Sequence, residues 1–225
     1  MSRGTKTRRS RRNTQAKRLS ELAAALAGIG RSIYSRGWAL GTSGNFSAVA
    51  TRAPFRLLIT PTGVDKGRLE ARQLVLVDGE GKLAGGAGRP STETVLHLAV
   101  VRARAAGAVL HTHSIWSTIL SDEFAGAGGL WIEGYEMLKG LEGVHTHRHR
   151  EWLPIVENSQ DMTALAASIE ETLKLNPDAH GFLLRRHGLY TWGSDLAQAK
   201  GHLEILEFLL EVIGRTRSSP EARGV

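Results

Sequence analysis

The apolar run Ala108-Val109-Leu110 ends in His111-Thr112-His113. Successive side chains of a β-strand alternate faces, so residues two apart point the same way. The segment therefore predicts a strand over residues 108–113 that delivers two imidazoles to one side of a sheet. A second apolar run, Gly181-Phe182-Leu183-Leu184, leads to His187-Gly188, and residues 180–192 read as a β-hairpin. A histidine from a neighbouring strand would complete a three-imidazole site for a divalent metal, zinc above all, with one position open for substrate. On spacing alone the alternative stays open that the pair is core packing and that His187 serves its turn.

Around these segments strands and helices alternate. Leu19, Leu22, Leu26, Ile29 and Ile33 recur at helical spacing and predict a helix over 18–36. Strand-like runs follow at Phe46–Ala50, Leu57–Thr60 and Leu74–Asp78, then a glycine-rich, turn-like stretch over 79–88. Pro90-Ser91 opens a helix carrying Val95, Leu98 and Val101, with Ser91 as its cap, and Gly107 ends it. Residues 115–121 and 134–142 read as helical, and Leu153–Glu157 as a strand. Met162, Leu165, Ile169 and Leu173 mark another helix stopped at Asn176-Pro177, and a final helix carries Leu196 to Ile213 behind a cap at Ser194 or Asp195. The pattern is α/β or α+β, with helices packed on a central sheet.

Composition narrows the chemistry. No cysteine is present, so disulfides, thiolate metal sites and thiol catalysis are excluded. At 225 residues and 41% hydrophobic, the chain can build a substantial core. No apolar run approaches the length of a membrane span and no segment reads as a signal peptide, so a cytoplasmic protein with no membrane partner is expected. The formal charge of +7 is a local matter: residues 1–18 hold eight Lys/Arg and no acid, which leaves the body at −1. Like charges repel and bury nothing, so 1–18 is expected to be a disordered tail. Nonspecific contact with nucleic acid or an acidic partner is the other reading of the tail, and a mitochondrial presequence a weaker one.

Several segments could grip an oxyanion. Gly41-Thr42-Ser43-Gly44-Asn45 and Thr60-Pro61-Thr62-Gly63 offer hydroxyls and free backbone N–H groups, and Ser91 and Thr92 add a helix N-terminus. Each alone is also ordinary turn chemistry. Lys66 would add a cation or be a solvated surface lysine. Two carboxylates, Glu93 and Glu136, are acid/base candidates beside a metal-bound carbonyl; otherwise each belongs to a solvated helix turn. His145-Thr146-His147-Arg148-His149 is a rival histidine cluster, but it lacks an apolar approach. His97, one turn after Glu93, reads as a packing or pairing residue.

The order GTSGN, TPTG, RPSTET, AVLHTHS and RRHG resembles the class II aldolase/adducin superfamily over about residues 20–213. The segments 134–140 (GYEMLKG) and 187–193 (HGLYTWG) narrow the resemblance to its methylthioribulose-1-phosphate dehydratase family. The resemblance implies a three-layer fold, with a central, largely antiparallel sheet flanked by helices, over 19–215, and a flexible C-terminus over 216–225. It implies a homotetramer with active sites near subunit interfaces and one Zn2+ per subunit held by His111, His113 and His187. Glu136 would be the general acid/base of dehydration. Glu93 matches the acid/base carboxylate of the superfamily's aldolases, at a position that is cysteine in some dehydratases. Gly44, Asn45, Thr62, Gly63, Ser91 and Thr92 would bind the phosphate of the substrate, 5-methylthioribulose 1-phosphate, in methionine salvage. The competing expectations are a class II sugar-phosphate aldolase or epimerase that uses Glu93, and a non-catalytic, adducin-like interaction protein.

Overall fold

The computed structural model describes residues 3–218, with side chains from residue 13 onward. One nine-stranded sheet runs in the order β4-β3-β2-β1-β5-β9-β8-β7-β6. Its strands are β1 (Asn45–Arg52), β2 (Phe55–Ile59), β3 (Val75–Val77), β4 (Leu83–Gly85), β5 (Ala108–Thr112), β6 (Gly129–Glu133), β7 (Arg150–Val156), β8 (Gly181–Leu184) and β9 (Gly188–Gly193). Neighbours pair antiparallel except β7 with β8. Helices cover both faces: α1 (Arg3–Ser35), α2 (Thr94–Arg104), α3 (Ile115–Glu123), α4 (Met162–Leu175) and α5 (Leu196–Ser218). The expected three-layer, largely antiparallel architecture is the observed one.

The pleat sorts the core into two halves. Ala108, Leu110 and Leu189 meet Leu26 of α1, Leu120 of α3 and Leu206 of α5 on one face. Val109, Phe182 and Tyr190 meet Leu96 of α2 and Ile169 of α4 on the other. Pairing registers then align one row across four strands: Asn45 opposite His111, His111 opposite Tyr190, Tyr190 opposite Phe182. That row lies on the α2/α4 face and carries the first metal-ligand candidate.

Several boundaries differ from the sequence reading. Helix α1 begins at Arg3, so the stretch 1–18 expected to be disordered is helical from Arg3 onward. The stretch contains no proline, and Lys17 pairs with Glu21 at 3.8 Å, so the helix set by Leu19–Ile33 continues outward; residues 13–18 are exposed. Helix α5 likewise runs on to Ser218, past the expected flexible start at 216, and 219–225 lie outside the described residues. Helix α2 starts at Thr94 rather than at Pro90-Ser91, because Ser91 to Thr94 form a turn closed by Thr94 N–H to the Ser91 carbonyl at 3.1 Å. The stretch 134–142 holds only a five-residue 3-10 turn, Glu136–Gly140; Gly134, Gly140 and Gly143 punctuate it. Strand β6 was not anticipated, although Leu130 and Ile132 are buried and Trp131 and Glu133 exposed in strict alternation. Short β4 lies inside the glycine-rich stretch.

A candidate metal centre beside a polar pocket

His111 is the penultimate residue of β5 and His113 follows its end, so both leave the α2/α4 face of the sheet. His187 arrives from the β8–β9 turn. Three contacts lock that turn: Arg186 N–H donates to Ser121 Oγ at 2.9 Å, and Arg185 and Arg186 each reach Asp122 at 2.9 Å. Gly188 is required where β9 meets β5, since a Cβ there would lie 1.9 Å from the Thr112 carbonyl oxygen. Gly44 serves the same end from the other side: its φ is +70° and a Cβ would come within 2.9 Å of the His111 carbonyl oxygen.

The three imidazoles converge. His113 Nε2 stands 2.8 Å from His111 Nε2 and 3.1 Å from His187 Nε2. Together with a Glu93 oxygen, the ligand atoms lie within 4.8 Å of one another, the one such group among the described residues. Tetrahedral zinc with Zn–N near 2.0–2.1 Å needs nitrogens about 3.3 Å apart. The donor chemistry fits as well. His111 Nδ1 donates its N–H to the Leu189 carbonyl at 3.0 Å, which leaves Nε2 bare and aimed inward. Burial pushes all three histidines down, His113 to about 4, with the neighbouring imidazoles adding to it at His111 and His113. At neutral pH they are uncharged, the form in which a histidine can bind a metal. The His145–His149 histidines are not part of this group: His147 faces Glu136 at 3.8 Å and His149 bonds Glu151 at 2.9 Å.

Glu93 sits beside the cluster, with Oε1 at 3.2 Å from His187 Nε2 and 3.7 Å from His111 Nε2. Next to it opens a cavity of about 290 Å³, lined by Thr42, Gly44, Asn45, Thr62, Ser91, Thr92, Glu93, His113 and His187. Five of the six expected phosphate contacts therefore share one pocket with two of the three metal candidates, His113 and His187. Gly63 is not in its lining and takes φ +73°, so its place in the structure is the turn itself. Lys66 is buried rather than solvated and lines the pocket. Its Nζ donates to the carbonyls of Thr42 at 2.9 Å and Val64 at 3.0 Å, tying the two oxyanion loops together, while burial lowers it to about 8. Asn158 and Gln160, from the β7–α4 connection, also line the pocket. The sequence reading missed both, because a polar connection carries no periodic signal.

Glu136 is placed elsewhere in the chain. It is exposed, pairs with Lys139 at 2.6 Å, and its turn packs through Leu138 into the α1/α3/α5 half of the core. It is neither in the pocket lining nor in the ligand group. The expectation that Glu136 joins the histidines is therefore not met within one chain: the glycine-bounded turn holds it on the other side of the sheet.

The residues 24–213 match the family described as Class II Aldolase and Adducin N-terminal domain. The methylthioribulose-1-phosphate dehydratase of Sorangium cellulosum is 41% identical over 202 residues, covering 89% of this chain and 94% of its own. That of Xanthomonas campestris is 44% identical over 196 residues, covering 87% and 89%. The chain belongs to the class II aldolase/adducin family, in its methylthioribulose-1-phosphate dehydratase branch. Solved structures agree on the fold. YgbL from Escherichia coli superposes with a TM-score of 0.75 at 28% identity, covering 90% of this chain and 92% of its own. The L-fuculose-1-phosphate aldolase of Thermus thermophilus gives 0.70 at 27%, covering 88% and 96%.

Behind the ligand strand of this dehydratase-branch chain lies a buried carboxylate. Glu207 of α5 accepts a hydrogen bond from Thr112 Oγ1, and burial raises it from 4.5 to about 7. A raised carboxyl contributes stability that is full below its unfolded value and lost as pH rises through the folded one. Glu207→Gln keeps the acceptor and removes the charge. The variant's stability advantage over wild type should grow from under about 1 kcal/mol near pH 5 to about 3 kcal/mol near pH 8.5. Denaturant melts at the two pH values measure it, and a pH-independent difference would show that Glu207 does not titrate in this range.

Proposed function

We propose that this chain dehydrates 5-methylthioribulose 1-phosphate to 2,3-diketo-5-methylthiopentyl 1-phosphate, a methionine-salvage step, with one zinc ion per subunit. The observation that carries the reading is the shared pocket, with His113, His187 and Glu93 of the four-residue cluster at one wall, the buried His111 behind them, and hydroxyl-rich loops at the other. Its support from outside the chain is the dehydratase name of relatives above 40% identity. His111, His113 and His187 would hold the zinc, which supplies Lewis acidity to a ketone oxygen when bound.

The remaining work falls to this chain's own groups. Ser91, Thr92, Thr62 and the backbone at Gly44 receive the phosphate, with the Lys66 ammonium behind their loops. Held there, the substrate presents its C3 hydrogen to Glu93 Oε1, which takes the proton. The C4 hydroxyl then leaves as water once an acid protonates it, and the C3–C4 enol tautomerises to the diketone. Glu136 of a neighbouring copy in a homotetramer is the acid in this reading. The support is its exposure here, the resemblance of GYEM to the dehydratases, and its distance in the fold from its own chain's histidines. Among the described residues no helix is long and apolar enough to cross a membrane.

Glu136→Gln should lower kcat about 10²-fold with metal content unchanged. Mixed oligomers of Glu136→Gln and His113→Ala subunits should regain part of the activity that each homo-oligomer lacks. Unchanged kcat in Glu136→Gln would remove its catalytic role, and mixed oligomers without activity would place that role within one chain.

A further inference from the structure

We propose that Ser47, His97 and Asn45 form a one-way hydrogen-bond relay that positions the Glu93 carboxylate at the histidine cluster, and that His97 is the positioning residue on which the relay turns. The spacing of two elements builds it. Asn45 and Ser47 lie two apart on β1 and share a face; Glu93 and His97 lie one helical turn apart and look at that face. Asn45, Ser47 and His97 are at most 5% exposed.

Each proton in the relay has one place to be. A carboxylate only accepts, so the Asn45 atom against Glu93 Oε2 is the Nδ2 amide, which also reaches Ser91 Oγ at 3.4 Å. That turns Asn45 Oδ1 toward His97 Nε2 at 2.6 Å. Oδ1 also only accepts, so His97 carries its proton on Nε2. The ring is neutral, since burial pushes it down to about 3. Its Nδ1 is then bare and accepts the Ser47 hydroxyl proton at 2.8 Å. This is the tautomer opposite to that of His111, whose Nδ1 is the donor.

The consequence is a fixed carboxylate. With Oε2 held by Asn45, Oε1 is the oxygen left facing His187 and His111. The relay also moves Asn45 from the phosphate contacts to the carboxylate. His97 meets the edge of Tyr190 at 5.7 Å, and Tyr190 stacks on His111 at 3.9 Å, so the relay and a metal ligand share one wall. A buried polar chain of this kind is retained only when every member is satisfied.

Long-range 1H–15N spectra of the intact protein, with and without zinc, test the tautomer directly. Nε2 should be protonated and Nδ1 bare from about pH 6 to about pH 9; an Nδ1–H tautomer or an imidazolium would overturn the relay. The kinetic arm rests on the dehydratase reading. His97→Leu should lose about 10–100-fold in kcat with KM and bound zinc little changed, as for other groups that orient a reacting residue. His97→Gln, whose amide can still donate to Asn45, should recover most of that loss. Equal activity of both variants with wild type, or equal loss in both, would overturn the positioning role. Should His97→Leu not fold, Ser47→Ala carries the same expectation in weaker form and Ser47→Thr its rescue. Absence of turnover in wild type would sink the substrate reading, while the spectra would still decide the relay.

Discussion

His113→Ala should fold, bind no stoichiometric metal and lose on the order of 10³-fold or more in turnover, because ligands that act as a unit fail as a unit. His113 is the central imidazole, within 2.8 Å and 3.1 Å of its two neighbours' nitrogens. Removing it leaves two of the three imidazoles, and a third protein donor is then available only if Glu93 leaves its proton-accepting role and becomes a ligand. The fold should persist, because the β5 backbone is held independently: His113 N–H donates to the Trp38 carbonyl at 2.7 Å, whatever its side chain. Metal analysis and circular dichroism check the two halves. Full metal occupancy with retained activity would remove the three-histidine site from the account.

Glu93→Gln should separate chemistry from metal binding. The substitution keeps the length and leaves one oxygen to accept from Asn45, but it cannot take a proton. A fall in kcat of about 10²–10⁴-fold is expected, with zinc retained and KM little changed. Steady-state kinetics beside metal analysis measure both. Loss of zinc in the variant would make Glu93 a ligand, and an unchanged kcat would pass the proton transfer to another group.

Legibility followed the range of the interactions. His111 and His113 were readable because the two-residue period of a strand is local, and the hairpin that brings His187 is nearly so. Which strands are neighbours is not local. The row Asn45–His111–Tyr190–Phe182 depends on pairing across four strands, so the contact of Asn45 with Glu93 could not be read from the GTSGN loop, and His97 stayed open between packing and pairing. Lys66 stayed open between an added cation and a solvated lysine, because nothing near it in sequence announces the Thr42 carbonyl, 24 residues away, that helps to hold it. The start of α1 differs from the reading because charge repulsion was weighed and the absence of proline was not. Glu136 was legible as a motif residue, and its position relative to the histidines was not, because a glycine-bounded turn on β6 fixes it and β6 itself was missed.

The most direct measurement is the product formed from 5-methylthioribulose 1-phosphate by purified, zinc-assayed protein. The account predicts one equivalent of the 2,3-diketone with about one zinc per chain, and loss of both product and metal in His113→Ala. Dihydroxyacetone phosphate in place of the diketone, from cleavage between C3 and C4, would contradict it and make the chain an aldolase.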